Sequence, residues 1–323
     1  MGAAVNEFDV IQRGETLPSL YRVSESSART LRVAAVQCAW NSDPVAHRAM
    51  VRRGVQLAAD AGAQVVLTQE LTLSPYFCYS PDVPDALAKY GEDVESGPTV
   101  AFARELAAEF NVDVQMSLYE RTADERGFNT AICVDATGRL LARTRKTHIP
   151  EFVYYHEDRY FEPADADCAV TDVAGAKFAF PTCWDQWFPE LARSLSMDGA
   201  QVIVYPTAIG SEPHMPGVDS QPMWRQMIAA NGLANSTFMI AINRIGTEGP
   251  LTFYGSSFIS DPYGRIIVEA PRDRPAVLVA DLDLGQRDDA LTFGLMYTRR
   301  PERYSRLQAM SEFGRPSSTS PMA

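Results

Sequence analysis

At 323 residues, 46% apolar and 22% charged, the chain has the balance of a soluble globular protein and is long enough for one large domain or two small ones. Its net charge of −12 and pI near 4.9 are spread without an acidic block, and no Lys/Arg cluster offers itself to nucleic acid or an anionic membrane. No apolar stretch approaches the roughly 20 residues that cross a bilayer, no secretory pattern opens the chain, and a cytoplasmic location is expected.

The first 30 residues are polar and aperiodic and read as an arm. The run LRVAAVQ (31–37) predicts a buried strand, 44–62 a helix and QVVLT (64–68) a second buried strand. A helix over 98–110 and strands over 112–118, 128–134 and 139–144 follow. Residues 168–173 and 176–180 pattern as a hairpin, 189–198 as a helix opened by Pro189, and 201–205 as a strand. A helix over 223–235 and strands over 237–243, 253–260, 265–270 and 276–281 complete the series, the turn at Asp261-Pro262-Tyr263-Gly264 joining two of them. Alternating helices and apolar strands punctuated by hairpins fit an α/β protein with mixed sheets. No composition break interrupts 31–310, so one domain is expected there, with 311–323 a Ser/Pro-rich flexible tail.

The cysteines, Cys38, Cys78, Cys133, Cys168 and Cys183, are scattered and lack C-x-x-C spacing, which indicates neither a disulfide framework nor a zinc site. Nor do His47, His148, His156 and His214 show the helical spacing of metal ligands, so no metal is expected. Cys183 stands apart from the other thiols because it follows the strand run AKFAF and precedes the helix at Pro189. A thiol just before a helix N-terminus meets unpaired N–H groups and the positive end of the macrodipole, and both favour thiolate. The neighbouring N–H of Trp184 is free in such a turn to bind an oxyanion.

Glu70 follows QVVLTQ and is expected at the carboxyl edge of a strand, where open α/β sheets gather ligands. A carboxylate partly removed from water accepts a proton more readily, which suits a general base. Lys146 ends LLARTRK and could hold an oxyanion or a thiolate. Glu157 lies in YYHEDRYF, a segment too aromatic to be wholly exposed.

These positions, in this order, resemble the nitrilase, or carbon–nitrogen hydrolase, superfamily from about residue 31 to 304. The glutamate motif reads VLTQEL around Glu70, the lysine motif RKTHIP around Lys146, and the cysteine motif CWDQWFPE from Cys183. Smaller echoes are Phe128-Asn129-Thr130-Ala131, Asn243-Arg244 and Arg299-Arg300-Pro301-Glu302. The resemblance implies an α-β-β-α sandwich of two mixed sheets, paired into homodimers or higher homo-oligomers, with Glu–Lys–Cys catalysis and neither metal nor cofactor. It also implies a small amide or ureido substrate, Glu157 as the family's second glutamate, and Tyr76, Tyr154, Thr207, Trp184 and Trp224 around the substrate.

CWDQWFPE, PTAIGSEP (206–213) and RRPE are similar to the N-carbamoylputrescine amidase branch, which implies hydrolysis of an N-carbamoyl amine through a thioester with ammonia release. Alternatives are a β-ureidopropionase-like or N-carbamoyl amino acid amidohydrolase, with Arg225 or Arg244 holding a substrate carboxylate, an aliphatic amidase, or a nitrilase. A silent assembly subunit is the alternative from another class. Departures at Pro181-Thr182, Ala164-Asp165, 150–153, Gln221-Pro222-Met223 and Asn231 fall where selectivity is expected to be set.

Overall fold

A computed structural model describes residues 7–22 and 29–308; the tail expected over 311–323 lies outside them. Two mixed sheets stack face to face with helices on both outer sides. Sheet I runs, edge to edge, Asp9–Gln12, Ala276–Asp283, Thr30–Gln37, Val65–Thr68, Asp113–Arg121, Gly127–Val134 and Leu140–Arg145. Sheet II runs Ile266–Glu269, Phe258–Ser260, Phe238–Ile242, Val202–Pro206, Ala176–Ala179 and Thr171–Val173.

Alternation along the strands builds the layers. Val33 and Ala35 meet Val202 and Val204 of the other sheet in the central core, while Ala34 and Val36 turn outward. The outward face of sheet I packs on α1 (Pro44–Asp60) and α2 (Pro98–Phe110) through Val51, Val55, Phe102 and Leu106. The outward face of sheet II packs on α3 (Pro189–Met197) and α4 (Gln221–Asn235) through Leu195, Trp224 and Ile228. Both faces of each sheet are buried, which is why the strands read as nearly continuous apolar runs. The α-β-β-α sandwich is thus the observed architecture.

Three expectations change. Within the segment read as an aperiodic arm, Asp9–Gln12 adds an edge strand parallel to Ala276–Val279; four residues, two half-buried and two exposed, are too few to show a period. The strand expected over 253–260 is two: Leu251–Tyr254 forms a hairpin with Ile245–Glu248, and Phe258–Ser260 enters sheet II. Gly255 (φ 51°) and Ser256 (φ 57°) separate them with left-handed backbone, which an apolar pattern hides. Cys183 does not abut the helix at Pro189. It opens a separate 3₁₀ turn, Cys183–Trp187, and itself takes φ 44°, an uncommon conformation for a non-glycine residue.

Candidate active site

The strands Thr30–Gln37, Val65–Thr68 and Asp113–Arg121 are parallel, as are Ala176–Ala179, Val202–Pro206 and Phe238–Ile242. Their carboxyl ends deliver Glu70 from one sheet and Cys183, Thr207 and Asn243 from the other. Lys146 follows Leu140–Arg145, which two antiparallel pairings return to the same sense. This is the rim where α/β sheets collect ligands.

Lys146 is fully buried and its Nζ donates to Glu70 Oε1 at 3.0 Å and to Glu157 Oε2 at 2.6 Å. Asn129 Nδ2 donates to the same Glu70 oxygen at 2.7 Å, and Tyr76 Oη to Glu157 Oε1 at 2.9 Å. Glu70 Oε2 is buried and has no hydrogen-bond partner. Burial alone would lower the Lys146 ammonium, but Glu157, Glu70 and Cys183 together hold it well above the ordinary lysine range. Burial raises the Glu157 carboxyl to about 7, with Glu70 adding to the rise and Lys146 and Tyr76 opposing it.

Cys183 belongs to the same buried group. Burial pushes its thiol well up; the charges of Glu70 and Glu157 push further, and Lys146 and the N–H of Ala208 pull back. Burial and the two carboxylates therefore oppose the thiolate expected at a helix end. The helix begins six residues later, and desolvation outweighs the single ammonium. All five cysteines are free and buried, and Cys78 shares the charges of Glu157, Glu70 and Lys146, so what distinguishes Cys183 is its place at the start of the 3₁₀ turn rather than acidity.

Asp185 fastens the cysteine turn to the lysine strand. Its Oδ2 accepts the N–H groups of Thr182 (2.9 Å) and Thr147 (3.3 Å), and its Oδ1 accepts those of His148 N and Nδ1, both at 2.8 Å. The His148 ring stacks on Phe188 at 3.6 Å between centroids. Trp184 packs its half-buried ring on Phe152, and its N–H stands at the second position of the turn, within the stretch that intrahelical carbonyls do not reach.

Several residues expected around the substrate have other employment. The Trp224 indole N–H donates to Gln186 Oε1 at 2.8 Å, Thr207 Oγ1 donates to Gln186 Oε1 (3.3 Å) or to Tyr205 O (3.0 Å), and Asn231 Nδ2 reaches Gln186 O at 3.1 Å. Trp224, Thr207 and Asn231 are buried supports of the cysteine turn. Gln221, Pro222 and Met223 form the outer start of α4; the first two line a groove with Arg225, which pairs with Glu269 at 3.0 Å. Arg244 is fully buried on Glu248. Neither arginine is free for a substrate carboxylate. Tyr76 holds Glu157 instead of facing solvent, and Tyr154 (φ 65°) lies in the short hairpin Glu151–His156, its ring 6.1 Å from His214.

Sequence reading had not assigned Asn129, Asp185, Gln186 and Glu212. Asn129 and Asp185 were within quoted motifs but carried no signal of which atom they would reach. Glu212 is half-buried on the loop after Val202–Pro206, a loop anchored by Asn243 through Ile209 N (3.0 Å) and O (2.9 Å). Burial raises its carboxyl against the pull of His214, and the hydrogen bond it accepts from Ser220 Oγ is long at 3.4 Å. The Gly210 N–H of this loop donates to Tyr155 Oη at 3.0 Å, and the Tyr155 ring packs edge-on against Tyr76, the partner of Glu157, so the loop bearing Glu212 adjoins the site.

A sandwich whose strand ends converge on a thiol, an ammonium and two carboxylates has the architecture of a nucleophilic hydrolase. The chain belongs to the carbon-nitrogen hydrolase family, which matches residues 32–290. It is 38% identical over 296 residues to the N-carbamoylputrescine amidase of Arabidopsis thaliana, covering 89% of this chain and 98% of the relative. It is 36% identical over 285 residues to the citrullinase of Francisella tularensis, covering 86% and 98%. The crystal structure of a carbon-nitrogen hydrolase from Helicobacter pylori superposes with a TM-score of 0.81 at 27% identity, covering 87% of this chain and 99% of that one.

Proposed function

We propose that this enzyme hydrolyses an N-carbamoyl amine, with N-carbamoylputrescine as the best-fitting substrate, through a thioester on Cys183. The observation that carries the chemistry is the buried Lys146 ammonium shared by two carboxylates, with Glu70 Oε2 unpartnered among the described residues. Glu70 takes the Cys183 proton as the sulfur attacks the ureido carbon. Lys146 and the Trp184 N–H hold the oxyanion, a contribution of roughly 3–4 kcal/mol per donor in comparable sites. Collapse expels ammonia, which leaves with the proton from Glu70. A water deprotonated by Glu70 then cleaves the carbamoyl thioester, returning the thiol and releasing a carbamate that falls apart to amine and carbon dioxide.

Glu212 supports a cationic tail. An underbonded, half-buried carboxylate gains most from an ammonium, and the known amidase and citrullinase relatives both carry names of ureido substrates with an amine. Citrulline would bring a carboxylate as well, and Arg225 and Arg244 are both committed elsewhere, which favours the diamine. Ammonia release from N-carbamoylputrescine, citrulline, N-carbamoyl-β-alanine and a simple nitrile tests the reading. The first is expected to be turned over best, Cys183→Ala to abolish release with the fold intact, and Glu212→Gln to raise KM with little change in kcat. Turnover retained by Cys183→Ala would overturn the mechanism, and preference for the carboxylate substrates would overturn the tail assignment.

A further inference from the structure

Glu70 and Glu157 are joined twice. The short route is Lys146 between their side chains. The long route leaves the Glu70 carbonyl, which accepts Arg244 Nη2 at 2.8 Å; Arg244 Nη1 donates to Glu248 Oε1 at 2.5 Å. Glu248 Oε2 accepts the Tyr76 N–H at 2.7 Å, and Tyr76 Oη donates to Glu157 Oε1 at 2.9 Å. The six residues form a closed ring of hydrogen bonds, five of them fully buried and Glu248 8% exposed.

The ring spans four separate parts of the chain, and Leu71, the residue after one of its members, shows what it restrains. Leu71 takes φ 48° immediately after Glu70, and Arg244 Nη2 also reaches the carbonyls of Leu71 (3.1 Å) and Ser74 (3.3 Å). One guanidinium thus gathers the strained turn that aims Glu70. Its counter-ion, Glu248, ends the strand Ile245–Glu248 and has one oxygen for Arg244 and one for Tyr76. Tyr76 is wedged edge-on against Tyr155 and Phe253, so its hydroxyl has little freedom.

We propose that Glu248 is a positioning residue for the reaction: bridging Arg244 and Tyr76, it fixes Glu70 and Glu157 on opposite sides of Lys146 and so holds the Glu70 carboxylate with Oε2 unpartnered. The inference rests on the Glu70–Lys146–Cys183 chemistry proposed above. It assigns Glu248 no contact with substrate. The groups that bear on Glu157 are Lys146, Glu70, Tyr76, Cys78, Cys183 and Tyr155, and the ring sets the spacing of three of them.

Glu248→Gln tests this with little change of shape. A glutamine offers one acceptor and one donor end, so whichever way the amide turns, either Arg244 or the Tyr76 N–H faces an NH₂ group and the ring opens. Tyr76→Phe opens it at another point by removing a single oxygen, and serves alone should Glu248→Gln not fold. Each variant is expected to lose about tenfold to a hundredfold in kcat with KM within about threefold, and to shift the acid limb of the kcat–pH profile. The double variant should lose far less than the product of the two, because a ring already open cannot be opened again. The alkylation rate of Cys183 by iodoacetamide, followed by intact mass, should fall in parallel. Unchanged kcat in Glu248→Gln, a lowered melting temperature with kcat intact, or multiplicative losses in the double variant would each overturn the proposal. If wild type turns over none of the ureido substrates, the substrate reading fails, and the alkylation rates still decide the ring: equal rates in wild type and Glu248→Gln overturn it.

Discussion

Replacing Asp185 by asparagine separates its two duties, carrying charge and filling space. The carboxylate accepts four donors, three of them backbone N–H groups, and is wholly buried. In Asp185→Asn the amide oxygen can keep the Thr182 and Thr147 pair. The NH₂ then faces His148, whose ring can switch tautomer so that Nδ1 accepts, leaving the His148 backbone N–H unmatched. One buried donor without a partner costs about 1–3 kcal/mol. Taking about 2 kcal/mol, the melting temperature of a chain this long should fall by about 3 °C. Asp185→Leu keeps the volume and orphans all three backbone donors, so its cost should be at least twice as large. Because Thr147 and His148 follow Lys146, and Thr182 precedes Cys183, kcat should fall in the same order as stability. Thermal unfolding followed by circular dichroism, with ammonia release alongside, reads both. If leucine is tolerated as well as asparagine, or asparagine as well as aspartate, Asp185 does not fasten the two loops.

Two further outcomes follow from other atoms. The Glu157 carboxyl is raised from 4.5 to about 7 in the folded protein, so folded chains hold a proton there that unfolded chains release. The stability from this group is complete below about pH 4.5 and lost as pH rises through about 7. Glu157→Gln removes that dependence, and between pH 4.5 and pH 8 it should gain roughly 3 kcal/mol on wild type; urea unfolding giving a pH-independent difference would contradict the assignment. Gly210→Ala would set a Cβ 2.5 Å from Thr252 O and 2.8 Å from Phe253 Cα, both backbone. The loop bearing Glu212 must therefore shift, and KM for a cationic ureido substrate should rise about tenfold by loss of one charged contact, while equal KM values would show that the loop does not bind the tail.

The layers were legible because both sheets are buried on two faces: LRVAAVQ, QVVLT and FMIAI announce themselves by composition. Glu70, Lys146 and Cys183 were legible because each ends such a run, and a strand end is a place that sequence can mark. Glu157 follows no strand run and needed the family's motif order. What resisted reading was the direction of a side chain after the strand ends. Trp224 and Thr207 carry the polar groups of binding residues, yet both are consumed by Gln186, 38 and 21 positions away. Arg244 could have met a substrate carboxylate, and only the fold brings Glu248 and the Glu70 carbonyl to it first. The acidity of Cys183 was misjudged for a related reason: helix ends are visible in sequence, but the depth at which a thiol is buried is not.

That misjudged acidity has a consequence for the proposed chemistry. The chamber holds two carboxylates, one ammonium and one thiol, all out of water. With Lys146 charged and both glutamates ionised it would carry a net negative charge, and a thiolate would add a second; a low-dielectric site resists each in turn. Holding a proton near Glu157 and keeping Cys183 neutral brings the count back toward zero. Attack on a neutral ureido carbon then alters nothing in that count, provided the thiol proton moves to Glu70 as the sulfur–carbon bond forms. The negative charge leaves Glu70 and appears on the substrate oxygen, and Lys146, already bound to Glu70, can meet it there. A free thiolate is never required. On this view the depth of Cys183 favours the reaction, because it penalises ionisation before substrate arrives and leaves the concerted transfer unpenalised.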